Sequence, residues 1–180
     1  MIELTTQMDQ LVKQQHWMDA IQFAEQNSEL LLTSFNTSWN TGWAYFKLNQ
    51  HSDAIPHLQR ACSIAPASYS HVAYWALGVV WMELEKYESA EKCFLKSVEL
   101  KSGHLNRTML AFIYLLTDRT DEAERIHLEG LEEKRTQERL ESYADFLGAT
   151  GRVEEEAIIL LEAKEAPQEG KKYTPEGSRR

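Results

Sequence analysis

The chain has 180 residues, 43% of them hydrophobic, with five tryptophans, four prolines and eight glycines, which suits one domain of long helices joined by short turns. Its net charge of −9 is concentrated: residues 118–169 hold 16 Asp/Glu against 7 Lys/Arg, while the remainder balances at 12 of each. That distribution argues against nucleic acid and anionic membranes as partners, because phosphate binding needs clustered Lys and Arg.

No stretch of about 18 apolar residues is present, so no membrane span is expected. Met1-Ile2-Glu3-Leu4 lacks the basic start and apolar run of a signal peptide. Cys62 and Cys93 fall on predicted helices, where they pack as small hydrophobes rather than form a disulfide. A reducing cytoplasm is the expected compartment.

In chain order, apolar residues recur at helical spacing in ten segments that form five pairs: 3–14 with 17–29, 36–49 with 52–64, 69–84 with 87–100, 104–117 with 120–133, and 136–149 with 152–165. Ser52 or Asp53 is expected to cap the fourth segment, with Pro56 near its first turn, and Thr120 to cap the eighth. Pro66 and Gly103 mark helix ends and Gly151 marks the last turn. The segment 167–180 has Gly170, Pro175, Gly177, Lys171, Lys172, Arg179 and Arg180 and only Tyr173 as a large apolar residue. It is expected to be a disordered polar tail.

The segments repeat. A small residue recurs at Gly42, Gly78, Ala111 and Ala144, with Met8 as a poor first member, and a large one follows three positions later at Leu11, Tyr45, Trp81, Tyr114 and Leu147. Twelve positions after the small residue stands Ala20, Ala54, Ala90 or Ala123, and the series breaks at Glu156. A period near 34 residues marks stacked helical hairpins, none of which buries its apolar stripe alone. The small residues are expected at the crossing of each hairpin, against the alanines. The repeats fall at about 1–34, 35–68, 69–103, 104–135 and 136–166, in one repeat domain over 1–166.

The third repeat reads Tyr74-Trp75-Ala76-Leu77-Gly78-Val79-Val80-Trp81, then Tyr87, Ala90 and Phe94. The second carries Gly42, Tyr45, Ala54, Leu58, Ala61 and Pro66; the fourth carries Leu110, Ala111, Tyr114 and Ala123. The fifth carries Ala144, Leu147, Gly151-Arg152 and Ala163, and the first rests on Leu11, Trp17, Ala20 and Ala24. Over about residues 3–165 the chain thus resembles the tetratricopeptide repeat family. The resemblance implies an all-α, right-handed superhelical solenoid of about five helix pairs, and a protein-binding rather than catalytic role.

The resemblance also implies that the first helix of each pair lines a concave groove. Its positions lie three before, one after, four after and five after the small residue. They hold Trp39, Trp43 and Phe46 in the second repeat, Trp75, Val79 and Met82 in the third, and Phe112 and Leu115 in the fourth. Such an apolar strip suits a peptide partner. Two alternatives stand beside it: a register shift of one, which makes Trp39 and Trp75 inter-helix core, and occlusion of the groove by the N-terminal helix or the tail. In the fifth repeat the same face turns acidic at Glu138, Glu141 and Asp145, which favours a basic flank on an apolar or amphipathic ligand. The Lys/Asn/Arg clamp by which some members of the family grip chaperone C-termini is matched only at Asn40.

No catalytic or metal constellation is found. His16, His51, His57, His71, His104 and His127 include no pair four apart with an intervening Glu, and no phosphate loop, dinucleotide turn or nucleophile elbow occurs. Neither metal nor cofactor is expected. The last helix holds Ile158, Ile159, Leu160 and Leu161 with no further helix to cover them. That favours a second reading, a scaffold that dimerises through its terminal repeat.

Overall fold

The computed structural model describes residues 2–101 and 103–168. Among them it is all-α, with eleven helices and no strand. The expected tail lies outside the described residues from 169 on. Its first two residues are placed, with the Pro167 carbonyl accepting from the Gln137 amide at 3.0 Å. The chain divides into two compact units, residues 1–101 and 102–180.

The first unit holds α1 (Ile2–Lys13), α2 (Trp17–Gln26), α3 (Ser28–Thr33), α4 (Phe35–Lys47), α5 (His51–Ile64), α6 (Ser70–Glu83) and α7 (Tyr87–Leu100). The pairs α1/α2, α4/α5 and α6/α7 are its hairpins. The expected helix over 17–29 stops earlier, and α3 is an added element. Asn27 causes the break: it leaves helical geometry (φ −119°, ψ 50°), and its Nδ2 donates back to the Phe23 carbonyl at 2.8 Å. Asn side chains compete in this way with the helix ladder. Ser38 on α4 then donates to the Leu31 carbonyl at 2.6 Å, tying α3 to the next hairpin.

The second unit holds α8 (His104–Leu116), α9 (Thr120–Glu133), α10 (Gln137–Ala149) and α11 (Val153–Glu165), again as two hairpins. Gly103 opens α8 as its N-cap (φ −103°, ψ 155°).

Each hairpin is closed by the same turn. Gln15, Asn49, Glu85, Asp118 and Gly151 all have positive φ, between 57° and 80°. In each turn the amide of this residue donates three residues back, as Glu85 does to the Met82 carbonyl at 2.9 Å. The next amide donates five residues back, as Lys86 does to Trp81 at 2.9 Å and Arg119 to Tyr114 at 2.8 Å. This is the Schellman closure, which satisfies the last carbonyls of the first helix. It also fixes where the second helix begins. Gln50 and Arg119 therefore hold the N-cap positions expected of Ser52 or Asp53 and of Thr120, and no side chain caps either helix. Pro56 sits in the second turn of α5, not the first, where it removes one interior helix bond.

The small residues stand where the paired helices touch. A Cβ on Gly42 would lie 2.6 Å from Leu58 Cγ, and one on Gly78 would lie 2.8 Å from Phe94 Cε1. The side chain that fills the crossing is thus Leu58 or Phe94, one turn beyond the expected alanine; at Gly42 the alanine contributes its backbone, Ala54 O at 3.2 Å. Ala20, Ala54, Ala90 and Ala123 are all fully buried. The break at Glu156 is matched by an exchange of volumes. Gly148 occupies the position that holds Phe46, Met82 and Leu115 elsewhere, and the Glu156 carboxylate takes the space instead, 2.9 Å from where a Cβ on Gly148 would be.

The core of the second unit is more polar. Arg107 and Arg139 are buried and both bind Glu133, and Arg139 Nη1 also donates to the Gly130 carbonyl at 2.5 Å. Gly130 leaves room for the Arg107 stem, whose Cδ lies 3.1 Å from where a Cβ would be. Buried arginines need such pairing to offset desolvation. His127 is buried against Tyr143 (ring centroids 5.9 Å apart) and Phe146 (5.3 Å). Burial holds its pKa down, to about 4, with the Glu124 carboxylate opposing that shift.

Four outcomes are expected. Gly78→Ala forces the Phe94 ring to move and lowers stability by about 1–3 kcal/mol in urea denaturation. Glu85→Gly relieves a left-handed strain and raises stability by about 0.5–1 kcal/mol, while Gly151→Ala lowers it by about 1 kcal/mol. For His127 both states are neutral above the unfolded pKa of 6.5. Below it the unfolded chain takes up a proton that the folded ring refuses. Stability therefore falls between pH 6.5 and about 4, by up to roughly 3 kcal/mol. In denaturation followed by circular dichroism, His127→Phe should flatten that part of the profile relative to the parent chain.

Candidate functional site

The aromatic residues of the first unit form one cluster on two adjacent helices. Trp39, Trp43 and Phe46 recur at i, i+4 and i+7 on α4, so they share one face. Trp39 and Trp43 stack with centroids 5.5 Å apart, and Trp43 and Phe46 at 4.8 Å. Trp75 on α6 reaches Trp43 at 6.1 Å, joining the two helices. Contacts of this geometry add about 0.5–1.5 kcal/mol each beyond area burial.

The cluster is graded in exposure. Trp39 is 5% exposed and Val79 8%, whereas Trp43, Phe46, Trp75 and Met82 are half-buried. Trp39 also belongs to the buried core with Leu58, Leu77 and Val80, so it is a floor on which Trp43 and Trp75 rest. Two neighbours outside the apolar strip complete it. The Lys47 ammonium lies 5.5 Å from the Trp43 ring centroid, a cation–π contact. The His51 ring meets Phe46 edge-on at 5.4 Å. His51 follows the left-handed Asn49, and this contact exists only because the turn folds the chain back there. Helical spacing alone does not reveal it.

Polar groups in the cluster are unsatisfied. Among the described residues, the indole N–H groups of Trp39 and Trp75 and the Nδ1 of His51 are buried and have no hydrogen-bond partner. A buried donor left unpaired costs about 1–3 kcal/mol, so each calls for an explanation. Asn40, by contrast, is engaged: its Nδ2 donates to Asp9 Oδ1 on α1 at 3.1 Å. Its amide therefore ties α4 to the first helix.

In the second unit, α8 exposes Phe112 at 43%, next to the half-buried Leu115. On α10, Glu141 and Asp145 are exposed and Glu138 is half-buried. Glu141 accepts from Gln137 Nε2 at 2.7 Å. On α11, Ile158 and Leu161 are 64% and 63% exposed, Leu160 is 38% exposed and Ile159 is half-buried.

The two thiols are not poised for covalent chemistry. Burial pushes the Cys62 thiol up to about 12, with nearby Cys93 adding to it, and pushes Cys93 up to about 11. Neither is a thiolate at neutral pH, and the thiolate is the nucleophile. Among the described residues no group of three or more His, Cys, Asp or Glu is placed to hold a metal ion, and no helix is long and apolar enough to cross a membrane.

This geometry of paired helices closed on small residues has a counterpart among known families. The tetratricopeptide repeat model matches residues 37–68 and 71–104, the second and third hairpins. Those two hairpins are tetratricopeptide repeats, and arrays of such repeats serve protein–protein interaction. No curated protein matches the sequence. Solved structures match the fold. A crystal structure of MamA is 17% identical with a TM-score of 0.70, over 88% of this chain and 92% of that one. MamA residues 41 to the end from Desulfovibrio magneticus RS-1 are 22% identical with a TM-score of 0.64, over 72% of each chain. A Podosopora anserina putative kinesin light chain with nearly identical TPR-like repeats is 15% identical with a TM-score of 0.72, over 91% of this chain and 92% of that one. At these identities the likeness is one of fold.

Proposed function

We propose that this protein is a non-enzymatic adaptor or chaperone-like holder that binds an apolar or amphipathic peptide segment on the aromatic face of its first unit. The observation that carries the reading is the pair of buried, unpaired indole N–H groups of Trp39 and Trp75 within a half-open cluster of Trp43, Phe46 and Met82. A peptide supplies apolar side chains against the half-buried Trp43 and Phe46 rings and, by displacing Trp43 and Trp75 from their packing on Trp39, backbone carbonyls for the two buried donors. Val79 belongs to the base of the same face.

Within the second unit, the exposed Phe112 and half-buried Leu115 support an apolar contact of their own. As a feature of the second unit by itself, Glu138, Glu141 and Asp145 suit a basic segment on a partner. The reading also takes a reducing cytoplasm as the compartment, supported by the free thiols Cys62 and Cys93.

A second reading, self-association through the terminal repeat, is favoured by one observation: α11 leaves Ile158 and Leu161 about two-thirds exposed.

The test of the first reading is calorimetric titration with a designed peptide, an apolar Leu/Phe stretch followed by a Lys/Arg flank. Trp43→Ala is expected to weaken binding by about 2 kcal/mol, close to 30-fold. Trp75→Phe keeps a ring and removes a donor, and is expected to weaken it by about 1 kcal/mol. Unchanged affinity in both variants, with helicity retained, would refute the groove. Replacing the basic flank by Gln without loss at low salt would remove the polarity from the reading.

A further inference from the structure

Among the described residues, the last helix carries an apolar face on which no other element packs. α11 turns Glu156 and Ala163 toward α10; Ala163 is 2% exposed, and the Glu156 carboxylate fills the space beside Gly148. At about 100° per residue the side away from α10 then carries Ala157, Leu161 and Ile158, with Glu154 and Lys164 beside them, and Val153 and Leu160 form its edge nearer α10. Val153 and Ile158 are 64% exposed, Leu161 63% and Leu160 38%, and Ala157 is exposed as well. A helix that closes a repeat array ordinarily presents a polar outer face. Glu154 and Lys164 lie at the two ends of this apolar stripe, and among the described residues neither makes an ion pair.

We infer that the occupant of this face is a second copy of the same helix, packed antiparallel about a two-fold axis at Ile159. The inference rests on the self-association reading and fixes its geometry. The stripe is complementary to itself in that orientation. Residues equidistant from position 159 meet across the axis: Ala157 faces the partner subunit's Leu161, small against large, and Glu154 faces the partner subunit's Lys164. Both contacts occur twice, as an isologous interface requires. Parallel pairing would instead set Glu154 and Glu155 against their own copies, and like charges opposed in this way are repulsive.

The residues beyond 168 are poor candidates for the same face. They include only one large apolar side chain, Tyr173, among Gly, Lys, Arg, Glu, Ser, Thr and Pro. The stripe is one helix wide and falls short of the ~800 Å² per partner of a standard interface. The association is therefore reversible and concentration-dependent.

Sedimentation equilibrium of the full chain over about 1 μM to 1 mM tests this. The parent chain should pass from monomer to dimer within that range, and Leu161→Glu should weaken dimerisation at least 10-fold. Glu154→Lys alone should weaken it several-fold. The double exchange Glu154→Lys with Lys164→Glu should restore it to within about two-fold of the parent. Glu154 and Lys164 are about 15 Å apart along one helix, so recovery requires contact between copies. Circular dichroism checks that α11 stays helical in each variant.

The failures are distinguishable. A dimer that survives Leu161→Glu overturns the terminal-repeat reading as a whole. A dimer abolished by Leu161→Glu but not recovered by the double exchange overturns the antiparallel register alone. A parent chain that stays monomeric throughout overturns both. If Tyr173→Ala then dimerises, the occupant is the C-terminal segment of the same chain.

Discussion

The close approach of two helices at a residue without a side chain is the constraint on which this structure depends. Gly42 admits Leu58 and Gly78 admits Phe94, each into a space that a single methyl group would occupy. Phe94 and Leu58 are fully buried there, and burying a side chain of that size stabilises by about 2–3 kcal/mol. That crossing sets the distance between the helices of a hairpin. It therefore sets which residues of the first helix are left over for the outward face. Trp39 and Trp75 stand three residues before the crossing and Trp43 and Val79 one after it. The aromatic cluster is where it is because the glycines are where they are.

The second constraint is the left-handed residue seven positions after each small one. It closes all five turns in the same way although only Gly151 is a glycine. Gln15, Asn49, Glu85 and Asp118 accept an unfavourable conformation because the two Schellman bonds and the packing on either side over-determine it. The turn brings the chain back at a fixed angle, and in the first unit it delivers His51 to the edge of Phe46.

Much of the fold was legible because these constraints act on residue size, which a sequence displays. The hairpins followed from Gly42, Gly78, Ala111 and Ala144 and their spacing. The caps were not legible. Ser52, Asp53 and Thr120 are good capping residues, but the left-handed turn decides where each helix starts, and its residues carry no glycine signature. At Gly42 and Gly78 the side chain that fills the crossing lies one turn beyond the expected alanine, because Ala54 and Ala90 are small and regular while Leu58 and Phe94 look like ordinary core. The extra helix α3 was hidden in an apolar run that continues the helical pattern past Asn27. In the candidate site, the spacing placed Trp39, Trp43, Phe46 and Trp75 on neighbouring faces, and the structure joins them in one cluster. Spacing could not supply the depth of Trp39, which depends on α5 and α6 closing over it. Nor could it supply the unpaired indole N–H groups, which exist only once the cluster is packed. The buried Arg107 and Arg139 left one trace, an isolated Gly130 within an otherwise regular helix.

The proposed peptide site depends most on those two indole donors, and nuclear magnetic resonance reads them directly. In a chain labelled with nitrogen-15, titration with the apolar, basic-flanked peptide should shift the indole N–H signals of Trp39 and Trp75 downfield as they acquire acceptors. Those of Trp17 and Trp81 should stay in place. Equal movement of all the indoles, or none at Trp39 and Trp75 while the peptide binds, would contradict it.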